Sequence, residues 1–407
     1  MQTNIPEEIL NTYEGHHADQ ILRSCVHCGF CIATCPTYQL LGDELDSPRG
    51  RIYLIKNVFE GEKPTRKTLS HLDRCLTCRS CETTCPSGVE YSRLLDLGRH
   101  FIEQRVRRSF LDKTRRSALH WLLSSPKRFA RAYRLACKLT PILPKVLKVK
   151  APGTVEKSDL NQYGLHKHER TVLLLQGCVQ PTLEPNINIA TRHVLNHLGI
   201  STLTLEQTEC CGAISHHLNK RSQTLKTIRN NIDAWWPHVD NGCEAIISNA
   251  SGCGITLKEY GGYLDHDPEY AQKARLISNL VKDISEIISE QDIENLKLTT
   301  PVKVAFHAPC TLQHGLKLSA HVENMLSKLG CELLPINDSH LCCGSAGTYS
   351  ILQAKLSQNL KQNKLDNLQA GSPQYILTAN IGCQHHLNTE STIPVMHWIE
   401  LVAKNIS

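Results

Sequence analysis

Several large classes of protein are excluded by what this sequence lacks. In its 407 residues no apolar stretch approaches the roughly 18 residues a membrane-crossing helix requires, so an integral membrane protein is not expected. The N-terminus, Met1-Gln-Thr-Asn-Ile-Pro-Glu-Glu, has neither a basic n-region nor an apolar h-region, and no secretory signal is expected. The glycine fingerprints G-x-G-x-x-G and G-x-x-x-x-G-K-[ST] are absent, so no nucleotide-binding loop is visible. Neither G-x-S-x-G nor H-E-x-x-H occurs, which removes the commonest hydrolase signatures. What remains is an ordinary globular composition, 41% hydrophobic and 21% charged, long enough for two or three domains.

Cysteine, by contrast, is abundant: there are 19. Without a secretory signal the chain is expected in a reducing compartment, where disulfides are rare, so thiols at this density point to metal or redox work. Cys25, Cys28, Cys31 and Cys35 read C-x2-C-x2-C-x3-C and are followed by Pro36; Cys75, Cys78, Cys81 and Cys85, followed by Pro86, repeat the pattern at an offset of 50 residues. Three closely spaced thiolates curl around one face of a [4Fe–4S] cube, and in two-cluster ferredoxins the cysteine before the proline ligates the other cluster. Cys25, Cys28, Cys31 and Cys85 are then expected to hold one [4Fe–4S] cluster, and Cys75, Cys78, Cys81 and Cys35 the second. Structural zinc is the competing reading, but zinc favours two C-x2-C pairs across a longer gap. Between the motifs, Arg49 and Arg51 of Asp46-Ser-Pro-Arg-Gly-Arg51 either offset cluster charge or belong to a solvated turn before a helix.

The second half is also duplicated. Cys178, Cys210-Cys211-Gly212 and Cys253 recur as Cys310, Cys342-Cys343-Gly344 and Cys383, at offsets of 130 to 132 residues, which implies two similar lobes. Short apolar runs at Thr171–Gln176, Ile200–Leu205 and Glu244–Ser248 read as strands, with a helix over Asn188–Leu198. Val302–Phe306, Glu332–Ile336 and Tyr375–Thr378 are the strands of the second copy. The expected fold is α+β overall: a helical two-cluster ferredoxin-like domain over 1–104, a basic helical linker over 105–168, and two α/β lobes with parallel sheets over 169–299 and 300–407. Cys178, Cys253, Cys310 and Cys383 all follow predicted strands, where ligand sites of parallel sheets lie. These thiols hold metal or do redox work, or else pack as small apolar residues beside a tight Cys-Cys-Gly turn. Cys137, Cys243 and Cys331 fit no pattern and read as packing residues. His27, His307, His385 and His386 lie near the cysteines, as structural residues or as groups that tune a cluster or move protons.

Charge is unevenly spread. Arg105–Lys150 holds 14 Lys/Arg against one acid, Asp112, a local +13 within a chain whose total is +6. Trp121, Phe129, Tyr133, Leu135 and Leu139 are interleaved with Lys127, Arg128, Arg131, Arg134 and Lys138, and Pro141–Pro144 and Val146–Val149 follow. That mixture suits an anionic membrane surface, a partner subunit, or plain solvation. No reader motif accompanies it, so nucleic acid is not expected as a partner. A chain with two clusters and no hydride-carrying site most simply passes single electrons.

The run Cys25-Val-His-Cys-Gly-Phe-Cys-Ile-Ala-Thr-Cys-Pro-Thr-Tyr-Gln-Leu-Leu-Gly-Asp-Glu, with Ser47-Pro-Arg-Gly-Arg-Ile-Tyr, resembles the iron–sulfur subunit of glycolate oxidase. So do Asp338-Ser-His-Leu-Cys-Cys-Gly-Ser-Ala-Gly-Thr-Tyr349 and Thr378-Ala-Asn-Ile-Gly-Cys-Gln384, while the lobes resemble the cysteine-rich CCG domains of heterodisulfide reductases. The resemblance runs from about residue 20 to the end. It implies a complex oxidising glycolate to glyoxylate, with FAD on a partner dehydrogenase subunit, a second flavoprotein-like subunit, and quinone or another respiratory acceptor. It also implies peripheral association with the cytoplasmic side of the inner membrane and extends the ligand role to all eight ferredoxin-type cysteines. The equivalent subunit of a lactate or glycerol-3-phosphate dehydrogenase, and a heterodisulfide-reductase-like thiol–disulfide enzyme, are the alternatives. The fullest CCG pattern ends in C-x-x-C, and here Ala250 and Asn380 replace the first cysteine of that pair. Each lobe thus keeps four of five thiols, which counts against the larger cluster of those reductases.

Overall fold

A computed structural model describes residues 1–139, 166–208 and 210–406. Helices α1 (Tyr13–Ser24), α2 (Pro36–Leu41), α3 (Pro48–Phe59) and α4 (Tyr91–Glu103) organise the N-terminal unit. Local sequence explains where they begin. Thr12 accepts a hydrogen bond from the Gly15 amide at the start of α1, and Ser47 does the same for Gly50 at the start of α3, where Pro48 takes the first position. Helices α1, α3 and α4 pack around Leu22, Ile55, Leu94 and Leu95, with Phe59 stacked on Phe101 at 4.4 Å. A Cβ at Gly98 would lie 2.7 Å from the Ile55 side chain, so glycine is what lets α4 approach α3 so closely.

Two further helices follow, α5 (Phe110–Leu123) and α6 (Pro126–Leu139). The basic excess of this region is partly consumed internally. Arg108 reaches Asp73 (2.7 Å), Asp112 (3.0 Å) and Glu103, and Arg116 reaches Asp73 (3.0 Å) and Asp112 (3.1 Å). The apolar runs Pro141–Pro144 and Val146–Val149 lie outside the described residues. Among the described residues no helix is long and apolar enough to cross a membrane.

The first lobe runs β1 (Arg170–Leu174), α7 (Pro185–His197), β2 (Ile200–Leu203), α8 (Arg221–Asp240), β3 (Ala245–Ser248), α9 (Ser251–Lys258) and β4 (Val281–Asp283). The second runs β5 (Val302–His307), β6 (Cys331–Leu333), α10 (Ala354–Gln369), β7 (Tyr375–Thr378), α11 (Ile381–Asn388), β8 (Val395–His397) and α12 (Trp398–Ala403). Both sheets are fully parallel with the same order, β2-β1-β3-β4 and β6-β5-β7-β8. Buried runs such as Val172–Leu174 and Ala245–Ile247 fit sheets covered by helices on both faces. The sequence carries no sign of the fourth strands, because Val281-Lys-Asp283 and Val395-Met-His397 are too short to show a pattern.

The lobes share one core. Val172, Ile187 and Val194 of the first pack with Val304, Leu326, Trp398 and Ile399 of the second. Across the same junction the Ser251 amide donates to the Ala379 carbonyl at 3.1 Å, and the hydroxyls of Ser251 and Thr311 lie 2.7 Å apart. The N-terminal unit docks on both lobes, through Arg79–Glu259 (2.5 Å) and Asp96–His216 (3.1 Å) on the first and Thr83–His314 (2.9 Å) on the second.

Candidate metal centres

The duplicated loops share backbone shape as well as spacing. His27 and Thr77, 50 residues apart, both hold positive φ (60° and 54°), as do Gly29 and Arg79 (89° and 62°). Left-handed conformations at three non-glycine residues cost of order 1 kcal/mol or more each, so the loops are held in an unfavourable curl that turns the thiols inward. Two adjacent cavities result. The first is walled by Cys25, Cys28, Cys31 and Cys85, the second by Cys35, Cys75, Cys78 and Cys81, and Cys81 and Tyr91 border both. The cysteine ahead of each proline thus faces the loop of the other motif. Neither lining contains a carboxylate; the charged neighbours are Arg49 at the first and Arg51 and Arg79 at the second. Four sulfurs beside cations suit an anionic thiolate-bound cluster. Burial, followed by the neighbouring Cys25, pushes the Cys31 thiol up to about 11, a crowding of negative charge that cationic iron relieves.

The second cavity has the richer surroundings. Thr37 Oγ1 lies 3.3 Å and Arg51 Nη1 4.0 Å from Cys35 Sγ, while the Tyr91 hydroxyl and the Thr77 amide donate to Cys75 Sγ at 3.6 and 3.5 Å. Arg51 is 1% exposed and pairs with Asp46 (3.4 Å), which is itself fully buried and also bonded to Arg74 (2.7 Å) and His71 (3.0 Å). The segment from Asp46 to Arg51 is therefore a buried charged brace and no solvated turn. Arg49, by comparison, is half-buried and pairs with Glu44 at 2.8 Å. Thr37 and Tyr91 carry no sequence signal, since each acts through a contact made only in the fold, and the part Asp46 plays rests on contacts with Arg74 and His71 made only there.

In the first lobe Cys178 contacts Cys210, Cys210 contacts Cys211, and Cys211 contacts Cys253. In the second, Cys310 Sγ lies 3.8 Å from Cys342 Sγ, and Cys343 contacts both Cys342 and Cys383. The contact with Cys342, and then burial, push the Cys310 thiol well up. Asn380, standing where the fullest pattern has cysteine, donates to Cys383 Sγ (3.4 Å) and accepts from the Gly252 amide of the first lobe (3.2 Å). His307 is buried with neither ring nitrogen hydrogen-bonded, and its ring lies within 4.8 Å of Cys343 and Cys383. His386 bonds Ser357, whereas His385 is exposed. Cys243 and Cys331 are buried packing residues. The two lobes differ in position: Cys310 and Cys342 pack with Leu76 and Cys78 of the ferredoxin-type loop.

The family model for a 4Fe-4S dicluster domain matches residues 21–89, and that for a cysteine-rich domain matches 172–258 and 304–388. The glycolate oxidase iron-sulfur subunit of Escherichia coli (strain K12) is 51% identical over 99% of this chain and 98% of that protein. The probable glycolate oxidase iron-sulfur subunit of Bacillus subtilis (strain 168) is 30% identical over 93% and 90%. Lactate utilization protein A of Bacillus pumilus is 24% identical over 57% of this chain. Among solved structures, a hypothetical protein from Helicobacter pylori shares the fold, at a TM-score of 0.54 with 10% identity over 97% of this chain and 72% of that one. Duplicated cysteine loops, twin parallel lobes and half-identity along nearly the whole of both chains lead to one conclusion: the chain belongs to the family of glycolate oxidase iron–sulfur subunits.

Proposed function

We propose that this chain is the electron-transfer subunit of a flavin-dependent glycolate dehydrogenase, with glycolate oxidised to glyoxylate on an FAD-bearing partner and the electrons passed to a respiratory quinone. The observation that carries this reading is the pair of adjacent four-thiol cavities in a chain of this family. Cys25, Cys28, Cys31 and Cys85 hold one [4Fe–4S] cluster, and Cys75, Cys78, Cys81 and Cys35 the other; each cluster, when bound, takes up and releases one electron. The chain's own groups do the rest. Tyr91 separates the two sites, Arg51 and Thr37 set the field at Cys35, and Leu76 and Val89 exclude water. Cys28 is the exposed ligand, flanked by exposed Val26 and Phe30, and this face receives electrons from the flavoprotein partners. A lactate dehydrogenase subunit is the second reading, favoured by the lactate utilization relatives, which match little more than half of the chain.

On α6, Lys127, Arg131, Arg134 and Lys138 share the exposed side with Leu135 and Leu139, beside exposed Trp121 on α5. Basic and apolar groups so mixed rest well on an anionic leaflet, which supports peripheral attachment at the cytoplasmic side of the inner membrane.

The test is anaerobic purification of the whole complex with iron and sulfide analysis and electron paramagnetic resonance. About eight iron and eight sulfide per chain, with both signals reduced by glycolate, is the expected result. Stoichiometric zinc without sulfide, or reduction by lactate alone, refutes it.

A further inference from the structure

The two lobes are close enough copies to serve as controls for each other. At the offset of 132 residues set by their cysteines, His307 corresponds to Leu175 and Lys364 to Ile232. The first lobe buries leucine and isoleucine at these positions, 3% and 0% exposed, inside an apolar core. The second buries an imidazole and an ammonium, each 2% exposed, beside its thiols. Burying such groups is unfavourable compared with burying hydrocarbon, and the first lobe shows that the fold does not require it. Natural chains retain such costs at functional sites.

Lys364 borders a cavity of about 350 Å³ between α2 and α10, where the N-terminal unit meets the second lobe. Pro36, Leu40, Leu341 and Leu360 give it one apolar side, Cys342 forms part of its surface, and Gln39, Asp338, Asn363, Asp366 and Asn367 make the remainder polar. Pro36 directly follows Cys35, and Cys342 belongs to the thiol set that packs on Cys78. The Lys364 ammonium donates to the carbonyls of Asp338 (2.7 Å) and Ser339 (3.4 Å), which take two of its three N–H directions.

We infer that this cavity binds the electron acceptor, a quinone-class ring, with its carbonyl oxygen at Lys364, and that the second lobe alone serves the output of electrons. This rests on the proposed electron-transfer reading. The apolar side of the cavity receives a flat ring, its polar side the ring's oxygens, and a fixed ammonium favours the carbonyl oxygen as it gains negative charge. The reaction balances: two electrons drawn from substrate oxidation arrive one at a time from the Cys35 side, two protons come from water in the open cavity, and quinone becomes quinol. At the corresponding position of the first lobe, Ile232 stands in place of the lysine.

The test uses the intact holo-complex, an azido-ubiquinone photolabel and steady-state reduction of a short-chain ubiquinone. The label should map to the peptides containing Leu40 or Leu341. Leu40→Trp, a change at a half-buried surface position, should abolish that label and lower quinone reduction at least tenfold. Lys364→Met should raise the KM for quinone at least tenfold. Labelling of a partner subunit instead, or unchanged labelling and KM in Leu40→Trp, overturns the inference. If glycolate fails to reduce the wild-type clusters while the label still maps to this cavity in dithionite-reduced protein, the glycolate reading fails and this one stands.

Discussion

Arg51 Nη1 lies 4.0 Å from Cys35 Sγ, and Arg51 belongs to a buried group in which Asp46 is shared with Arg74. Two guanidinium groups against one carboxylate leave a net positive charge beside the second cavity. Reduction adds negative charge to a cluster, so a buried cation and a donor favour the reduced form and raise the potential.

Arg51→Met should therefore lower the midpoint potential of the cluster at Cys75, Cys78, Cys81 and Cys35. A tenfold change in the electron's equilibrium corresponds to about 59 mV for one electron, and a downward shift of that order is expected in a redox titration followed by paramagnetic resonance. Tyr91→Phe, which removes the donor to Cys75 Sγ at 3.6 Å, should shift the same signal downward by less. An unchanged potential in both variants would show that these contacts do not tune the site.

Cys85 borders the cavity of the first loop, although it is nearest in sequence to the second. Cys85→Ser should remove or convert the cluster at Cys25, Cys28 and Cys31, with iron falling from about eight toward about four per chain. Selective loss of the other signal would disprove the crossed assignment.

Docking of the N-terminal unit on the first lobe should depend on pH. Burial alone would lower the pKa of His216, but the Asp96 carboxylate at 3.1 Å more than offsets it and holds the imidazole above its ordinary value of about 6.5. A raised folded-state pKa means the stabilisation is complete below about 6.5 and is lost as pH climbs through the folded value. Thermal unfolding followed between pH 6 and 8 should show this loss, and Asp96→Asn should flatten it. An equal slope in the variant would place the titration elsewhere.

The basic face of α6 makes its own prediction. Each Lys or Arg near an anionic leaflet contributes roughly 1 kcal/mol, screened by salt. Reversing Arg131, Arg134 and Lys138 to Glu should release the complex from vesicles containing anionic lipid, measured by flotation. High salt should release the wild type only in part, because Trp121, Leu135 and Leu139 add apolar contact that salt does not weaken. Retained flotation with loss of the flavoprotein would make this face a subunit contact.

How far the sequence could be read depended on how local each signal was. The duplicated cysteine spacing and the apolar strand runs lie within short windows, so the helical N-terminal unit and the twin parallel lobes were legible from residues such as Cys25, Cys75, Thr171 and Val302. Strands β4 and β8 were not, because three residues pairing at a sheet edge leave no periodic trace. Nor was the brace under Cys35: Asp46 and Arg74 lie 28 residues apart and meet only when α3 is packed. The inward turn of Arg108 and Arg116 was hidden in the same way, since Asp73 is 35 or more residues distant from both. His307 stands out in the sequence by its nearness to Cys310, whereas Lys364 is informative only against Ile232, its apolar counterpart in the first lobe.

The single core running through both lobes has a consequence for how the molecule holds together. With Val194 and Ile187 packed against Trp398 and Ile399, cutting the chain between β4 and β5 would strip each half of part of its interior. The duplication has thus become one cooperative unit, and heating should melt the pair in a single transition. The buried His307 and Lys364 that distinguish the second half thus sit on a scaffold to which both halves contribute, so a change in the interior of either copy reaches them.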